Sequence, residues 1–242
     1  TREERLEAFK HFGIQEAIVL DFAALSKLSA EDYLNKILKE MLQVSFLAFG
    51  PNHFFGKDKT GNTTTLIEWA KQNNVGSKLV QIAKMQSGET ISSSLIRNLL
   101  KEGKVKEANK FLGYNYLVFD KVVPGSQLGR KLGFPTFNFK YSPNKVPLKY
   151  GVYAARTKIK GKFYASAVNF GLAPTTRLDI QPFLESHLLE DIVEDLPPNG
   201  ESLRVELLEF IRPEQKFASL DQLKAQIGAD CQQIINLLKQ VD

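Results

Sequence analysis

The strongest constraint on this chain is a change of rhythm near Gly113. Before it, short apolar runs alternate with amphipathic helical segments. After it, runs of β-branched and aromatic residues follow one another with turn clusters between them. Strands separated by helices imply a parallel sheet covered on its faces. Strands joined by turns imply antiparallel β. We therefore expect an α/β part over 1–112 followed by a β part over 113–242, the latter a small antiparallel β-barrel ending in a helix. The 242 residues suffice for two such domains.

In the first part TREERLEAFKHFG reads as a helix ending at Gly13. AIVLDF, residues 17–22, reads as a compact buried strand. Ser29 caps a helix in SAEDYLNKILKEML. VSFLAFG and KLVQIA read as strands, TLIEWAKQNN as a helix. ISSSLIRNLLKEG reads as a helix stopped by Gly103, and VKEANKFLG as another. In the second part the expected strands are YNYLVFDKVV, YGVYAARTKI, KFYASAVNF and SLRVELLEFI. Ser219 and Gln222 form a capping-box pattern ahead of an apolar stripe through Leu223, Ile227, Ile234, Ile235 and Leu238.

Composition narrows the function classes. A hydrophobic fraction of 43% supports a real core. The net charge of +5 is mild and dispersed, which suits an anionic small ligand such as a nucleotide. There is no concentrated basic–aromatic stripe, so no nucleic-acid partner is expected. The single cysteine, Cys231, excludes an intramolecular disulfide framework and a cysteine cluster for zinc. His11, His53 and His187 show no metal spacing. No apolar run approaches the ~20 residues that span a bilayer. With no signal peptide either, we expect no membrane partner and a cytoplasmic location. The chain opens at Thr1 rather than Met, and reads as a fragment lacking its natural N-terminus.

Chemistry concentrates in PGSQLGRKLGFPTFN. Gly125, Gly129 and Gly133 can let backbone N–H groups approach an anion, and Arg130 and Lys131 add positive charge. Thr136 and Asn138 sit two apart at a strand start, so both side chains face one way. A hydroxyl and an amide oxygen there suit Mg²⁺, which takes few protein ligands beside phosphates and water. A decorated β-turn is the other reading. Downstream, alternation in PFLESHLLED places Glu185, His187 and Leu189 on one face. Glu185 is a general base beside a phosphate loop on one reading, and an idle solvated residue on the outside of a barrel on the other.

Taken together, GRKLGFPTFN, YGVYA, AVNFGLAPTT, ESHLL and VELLEFIRPEQKF resemble the riboflavin kinase module of prokaryotic bifunctional riboflavin kinase/FAD synthetases, in order and spacing. The resemblance implies Mg²⁺-dependent transfer from ATP to riboflavin, giving FMN. It places Thr136 and Asn138 at the Mg²⁺–ATP site and the loop with Gly125, Gly129, Arg130 and Gly133 over the phosphates. It makes Glu185 the base and puts Arg212 in the segment closing over flavin. Phe137 departs from the small residue usual between Thr and Asn, and we expect it to point away from both. EDLPPNGESL is longer by about two residues than the family's turn there.

The first part resembles the same family's FMN adenylyltransferase module, which implies a partial, Rossmann-like nucleotidyltransferase domain over 1–112. In GPNHFFGKDKTGN, Gly50, Phe55 and Gly56 fit its loop, with Asn52 in place of Asp and His53 in place of Phe. ISSSLIRNLL matches a helix start at which Ser92, Ser93, Ser94 and Arg97 could hold an anion; ordinary N-capping by a serine is the alternative. No HxGH motif occurs. The expectation is a riboflavin kinase whose parent protein also makes FAD, with FAD synthesis impaired in this chain. The alternative is a flavin- or nucleotide-binding regulator that has lost catalysis.

Overall fold

The computed structural model describes residues 1–85, 87–172, 181–190 and 199–239. Its contacts divide the chain into two compact units, Glu16–Ile91, and Thr1–Gln15 together with Ser92–Asp242. Helix α1 (Arg2–His11) belongs to the larger unit. Thr1 caps it in a capping box with Glu4.

The smaller unit holds α2 (Phe22–Leu25), then α3 (Ala30–Asp32), which Ser29 caps and which runs on into a π-helical stretch, Tyr33–Met41. Strand β1 (Phe46–Phe49), helix α4 (Thr63–Gln72) and strand β2 (Gly76–Leu79) follow. β1 and β2 pair in parallel, from Phe46 opposite Gly76 to Phe49 opposite Leu79. Leu34, Leu38, Phe49, Phe55, Leu66, Trp69 and Ala70 form the core beneath them. This is the parallel, helix-covered sheet of a partial nucleotidyltransferase-like fold.

Residues 17–22 correct the sequence reading. They form no strand; α2 begins at Phe22, and Ile18, Val19 and Phe22 are 58%, 52% and 80% exposed. A strand needs a neighbour to take its N–H and C=O groups. Among the described residues this unit's sheet contains β1 and β2 alone. In KLVQIA the strand ends at Leu79, and Val80 and Ile82 are exposed.

The larger unit continues with α5 (Ser93–Glu102) and α6 (Val105–Leu112), ended by Gly103 and Gly113 in the left-handed conformation. Strands β3 (Leu117–Lys121), β4 (Thr136–Lys140), β5 (Gly151–Ile159), β6 (Lys162–Leu172), β7 (Pro182–Leu188) and β8 (Ser202–Pro213) form one antiparallel sheet in the order β3-β8-β5-β6-β7-β4. Short helix α7 (Leu128–Leu132) precedes β4, and α8 (Leu220–Leu238) follows β8. The two edges meet just past β3, where Val123 N donates to Asn138 O at 2.8 Å. The barrel is thereby nearly closed.

Inside lie Phe139, Tyr153, Val168, Phe170, Leu184, Val205 and Leu207, with Leu99, Leu100, Val105 and Ala108 of α5 and α6 in the same cluster. Thr157, Ser166 and Ser186 are fully buried and satisfy one another at 2.8–3.0 Å. α5 and α6 thus pack with the barrel although they precede Gly113. Asn109 of α6 adds polar ties, donating to Leu207 O and accepting from Tyr116 N, both at 2.8 Å. Ile234 of α8 packs on Val152 and Ala154 of β5. Helix α1 is fastened to the barrel by Glu4, which pairs with the buried Lys145 and accepts from Phe119 N.

Candidate active site

Strand register assembles the site. In the β4–β7 ladder Thr136 lies opposite His187, and Asn138 opposite Glu185. The next ladder sets Glu185 opposite Asn169, and the following two set Asn169 opposite Val152 and Val152 opposite Arg212. Residues directly opposite share a sheet face. Asn138, Glu185, Asn169 and Arg212 therefore stand in one row across the barrel wall. Leu184 and Ser186, the neighbours of Glu185, are fully buried on the core side. Glu185 faces outward, yet it is not idle and solvated. It lines a cleft of about 750 Å³ between that outer face, the α7 segment and α8, with Leu132, Phe134, Phe217, Leu223 and Ile227 supplying apolar walls.

Burial raises the pKa of the Glu185 carboxyl above the usual carboxylate range. Among the described residues it has no hydrogen-bond or ion-pair partner to bring it down. A carboxylate held this way is a stronger base than a solvated one. Beside it, His187 Nδ1–H donates to Pro135 O at 2.9 Å, and its ring stands edge-on to Phe134 at 5.3 Å. The histidine thereby braces the end of the glycine loop.

A smaller cavity of about 240 Å³ lies on the other side of Thr136, lined by Gly125, Gln127, Arg130, Pro135, Thr136, Asn138 and Asn199 among others. Thr136 borders both cavities. The Asn138 amide nitrogen donates to Thr136 O at 3.3 Å and to Thr136 Oγ1 at 3.4 Å. That leaves Asn138 Oδ1 and Thr136 Oγ1 as neighbouring oxygen donors, the chemistry a hard cation takes. Among the described residues there is no cluster of histidine, cysteine and carboxylate side chains for a softer metal. Arg130 is exposed and has no ion-pair partner among the described residues.

The glycines have separate reasons. A Cβ on Gly125 would overlap the Asn138 side chain, and one on Gly129 would overlap the Phe134 carbonyl. Gly133 has φ +93° and closes α7. Gly125→Ala should therefore displace Asn138 and destabilise the barrel by about 1–3 kcal/mol, as overpacking does. Urea unfolding checks this; a midpoint equal to that of the unsubstituted chain would show that the loop simply moves aside.

Arg212 lines the large cleft, but its guanidinium is engaged. Nε donates to both carboxylate oxygens of Asp230 at 2.8 and 3.0 Å, and Nη2 to Oδ2 at 2.7 Å. Gln226 also donates to Asp230, at 2.9 Å. The pair ties β8 to α8 and so sets the width of the cleft. Phe137 turns to the core side, packed against the barrel cluster. The segment EDLPPNGESL, except its last residues, lies outside the described residues.

The remaining candidates lie in different units. In the smaller unit Phe55 is buried among Tyr33 and His53 rings, and Gly56 has φ +72° with a Cβ position that would overlap Ala30 N. Gly50 and Asn52 are exposed. In the larger unit Ser92 is the N-cap of α5, accepting from Leu95 N at 3.2 Å, which is the ordinary capping role. Ser93, Ser94 and Arg97 are exposed on its first turns.

Comparison with known proteins gives these residues a context. The riboflavin kinase family model matches residues 112–238, and the FAD synthetase model matches residues 1–95. The bifunctional riboflavin kinase/FMN adenylyltransferase of Escherichia coli K12 is 34% identical over 229 residues, covering 94% of this chain and 71% of the relative. This chain belongs to the bifunctional riboflavin kinase/FMN adenylyltransferase family. A second family member, from Pseudomonas fluorescens, is 33% identical over 90% of the chain and 69% of its own length. A solved structure described as a macrolide-efflux protein from Streptococcus pneumoniae superposes with a TM-score of 0.76 and 28% identity, over 95% of this chain and 73% of that one. No described helix of this chain is long and apolar enough to cross a membrane.

Sequence reasoning named Thr136, Asn138 and Glu185 as site residues, set His187 on the Glu185 face without giving it a role, and passed over Asn169 and Asp230. Asn169 and His187 stand inside motifs already quoted, AVNFG and ESHLL, and the two-residue alternation around Glu185 points to His187. Asp230 carries no signal of its own, because only the fold brings α8 against β8.

Proposed function

We propose that the barrel unit transfers the γ-phosphoryl group of ATP to the terminal ribityl hydroxyl of riboflavin, with Glu185 as general base. The observation that carries this is the Glu185 carboxylate, raised in pKa by burial, without a partner among the described residues and directly opposite Asn138; a large cleft lies on its own side and a smaller one beyond Thr136. The large cleft suits a flavin ring and the small one a nucleotide phosphate. The hydroxyl oxygen forms a bond to γ-phosphorus as the bond from γ-phosphorus to the ADP oxygen breaks; the hydroxyl proton passes to Glu185. Thr136 and Asn138 would hold Mg²⁺, which when bound neutralises charge on the transferring phosphoryl group. Arg130 adds a cation at the same loop, and His187 steadies Pro135 ahead of Thr136. Arg212, clamped by Asp230, shapes the flavin side.

By sequence family we read residues 1–112 as the partial adenylyltransferase-like domain and 113–242 as the kinase domain, a division supported by matches at 1–95 and 112–238, although by packing Thr1–Gln15 and the segment 92–112 belong with the barrel. Gly50, Asn52, Phe55 and Gly56, with Ser92, Ser93, Ser94 and Arg97, are then the adenylyltransferase residues of this chain. A regulator without catalysis is not favoured, since pure binding has no use for a base at this position. Incubation with riboflavin, ATP and Mg²⁺, followed by chromatography of the flavins, tests the reading. FMN is expected; riboflavin left unchanged over many hours would overturn it. FAD in the same samples reports the second activity of the family.

The pH dependence has a definite sign. The working form of Glu185 is the ionised one, and burial raises its pKa. FMN formation should therefore fall on acidification from a higher pH than an ordinary carboxylate would give. The same shift acts oppositely on stability. A raised pKa in the fold favours the protonated, folded form, so this contribution is present at low pH and lost as pH rises through the folded value. A pH–rate profile limited below only by a group with an ordinary carboxylate pKa would contradict the assignment.

A further inference from the structure

The barrel unit carries a second cleft, of about 510 Å³, that shares no residue with the one around Glu185. One face of α6 lines it with Lys106, Asn109 and Lys110, at helical spacing. Beside them stand the rings of His11 and Tyr114, 6.3 Å apart, with Phe12 edge-on to Tyr114 at 5.6 Å. The floor is built from Arg156, Arg204 and Glu206.

That floor is tied together by ion pairs and is electrically unbalanced. Glu206 is 2% exposed, and burial disfavours its charge, yet its pKa is lowered by Asn115 and the two arginines. Arg156 reaches Glu206 Oε2 at 2.7 Å and Arg204 reaches Oε1 at 2.6 Å. Asn115 Nδ2 donates to Oε2 at 3.0 Å, and Asn115 is itself held by Asn109 at 3.2 Å. One carboxylate thus serves two guanidinium groups, and one positive charge is left over. Arg204 Nε is buried and has no hydrogen-bond partner among the described residues, which is uncommon. At the rim Lys106 pairs with Glu209 at 3.1 Å, whereas Lys110 is exposed with no partner among the described residues. The surplus is therefore two cations, one on the floor and one at the mouth.

Surplus guanidinium and ammonium groups next to an aromatic wall suit a ligand that joins a phosphate to a flat heterocycle. The volume lies within the range of small-ligand sites. We propose that this cleft is a second ligand site, for a nucleotide: the phosphate meets Arg156, Arg204 and Lys110, and the base lies against Tyr114 and His11. It stands independently of the phosphoryl-transfer reading, because no residue is common to the two clefts.

Calorimetric titration of the whole chain with ADP tests it. One ADP site that depends on Lys110 is expected, in addition to those of the kinase and adenylyltransferase readings. Lys110→Glu reverses an exposed charge that has no partner among the described residues; it should weaken that site by about tenfold or more and leave the others unchanged. Lys71→Glu, an exposed reversal in the smaller unit, should change none of them. Arg156→Gln should weaken the same site as Lys110→Glu. Lys110→Glu indistinguishable from the unsubstituted chain in both the number and the affinity of its ADP sites would overturn the proposal. So would an equal loss from Lys71→Glu, which would mark general surface charge. If riboflavin is not phosphorylated but the Lys110-dependent site is present, the kinase reading fails and this one stands.

Discussion

Glu185→Gln should lower the rate of FMN formation by about 10²–10⁴-fold while leaving riboflavin affinity nearly unchanged. Glutamine keeps the shape of the side chain and its place opposite Asn138, but cannot accept the hydroxyl proton. No described residue pairs with the carboxylate, so the change breaks no hydrogen bond or ion pair among the described residues. It should even stabilise the fold slightly at neutral pH, because a neutral amide relieves the burial of charge that raises the Glu185 pKa. Rate, flavin binding and thermal unfolding measured on one preparation would separate these effects. Near-normal turnover would remove Glu185 from the chemistry, whereas joint loss of turnover and stability would make it a packing residue.

The largest effect on stability should come from Asp230→Ala. Arg212 is mostly buried, with a side chain 19% exposed, and Asp230 is 5% exposed. Removing the carboxylate strands a guanidinium that made three bonds to it. Breaking a buried pair from one side typically costs about 3–5 kcal/mol, and the remaining exposure of Arg212 argues for the lower end. Urea unfolding would report it. The double replacement Arg212→Met with Asp230→Leu should recover most of the loss, because it removes both charges at once. Riboflavin affinity of the double variant then isolates what Arg212 does for the ligand from what it does for the fold. A single variant as stable as the unsubstituted chain would mean that water reaches Arg212 freely.

Sequence carried much of this, but only where the signal is local. The period of two around Glu185 put it on one face with His187, and the Thr-x-Asn spacing did the same for Thr136 and Asn138. Helix ends were legible because Ser92, Ser219, Gly103 and Gly113 act on their immediate neighbours. What a linear reading lacked was register. Nothing in PFLESHLLED says that its glutamate will lie opposite Asn138, because ladder partners are set by the whole sheet. The same gap misled the reading of AIVLDF. Its apolar run fits a strand, but strand formation is a property of a pair, and the described sheet offers it no partner. The rhythm change at Gly113 marks where strands begin. It does not reveal that Leu99, Leu100, Val105 and Ala108 contribute to the barrel core, since an amphipathic helix does not say whose core it joins. The resemblance put Arg212 in a segment closing over flavin, and its pairing with Asp230 was illegible for the same reason: the two are brought together only by the fold.

Asn138 has one further consequence. Its backbone oxygen takes the hydrogen bond from Val123 that brings the two edges of the barrel together, while its side chain presses on Gly125 and turns toward Thr136. The residue proposed to hold the cation is also the clasp of the cylinder. Mutational drift there is restrained twice, once by what the pocket must hold and once by the need to keep a six-stranded wall from opening along its seam.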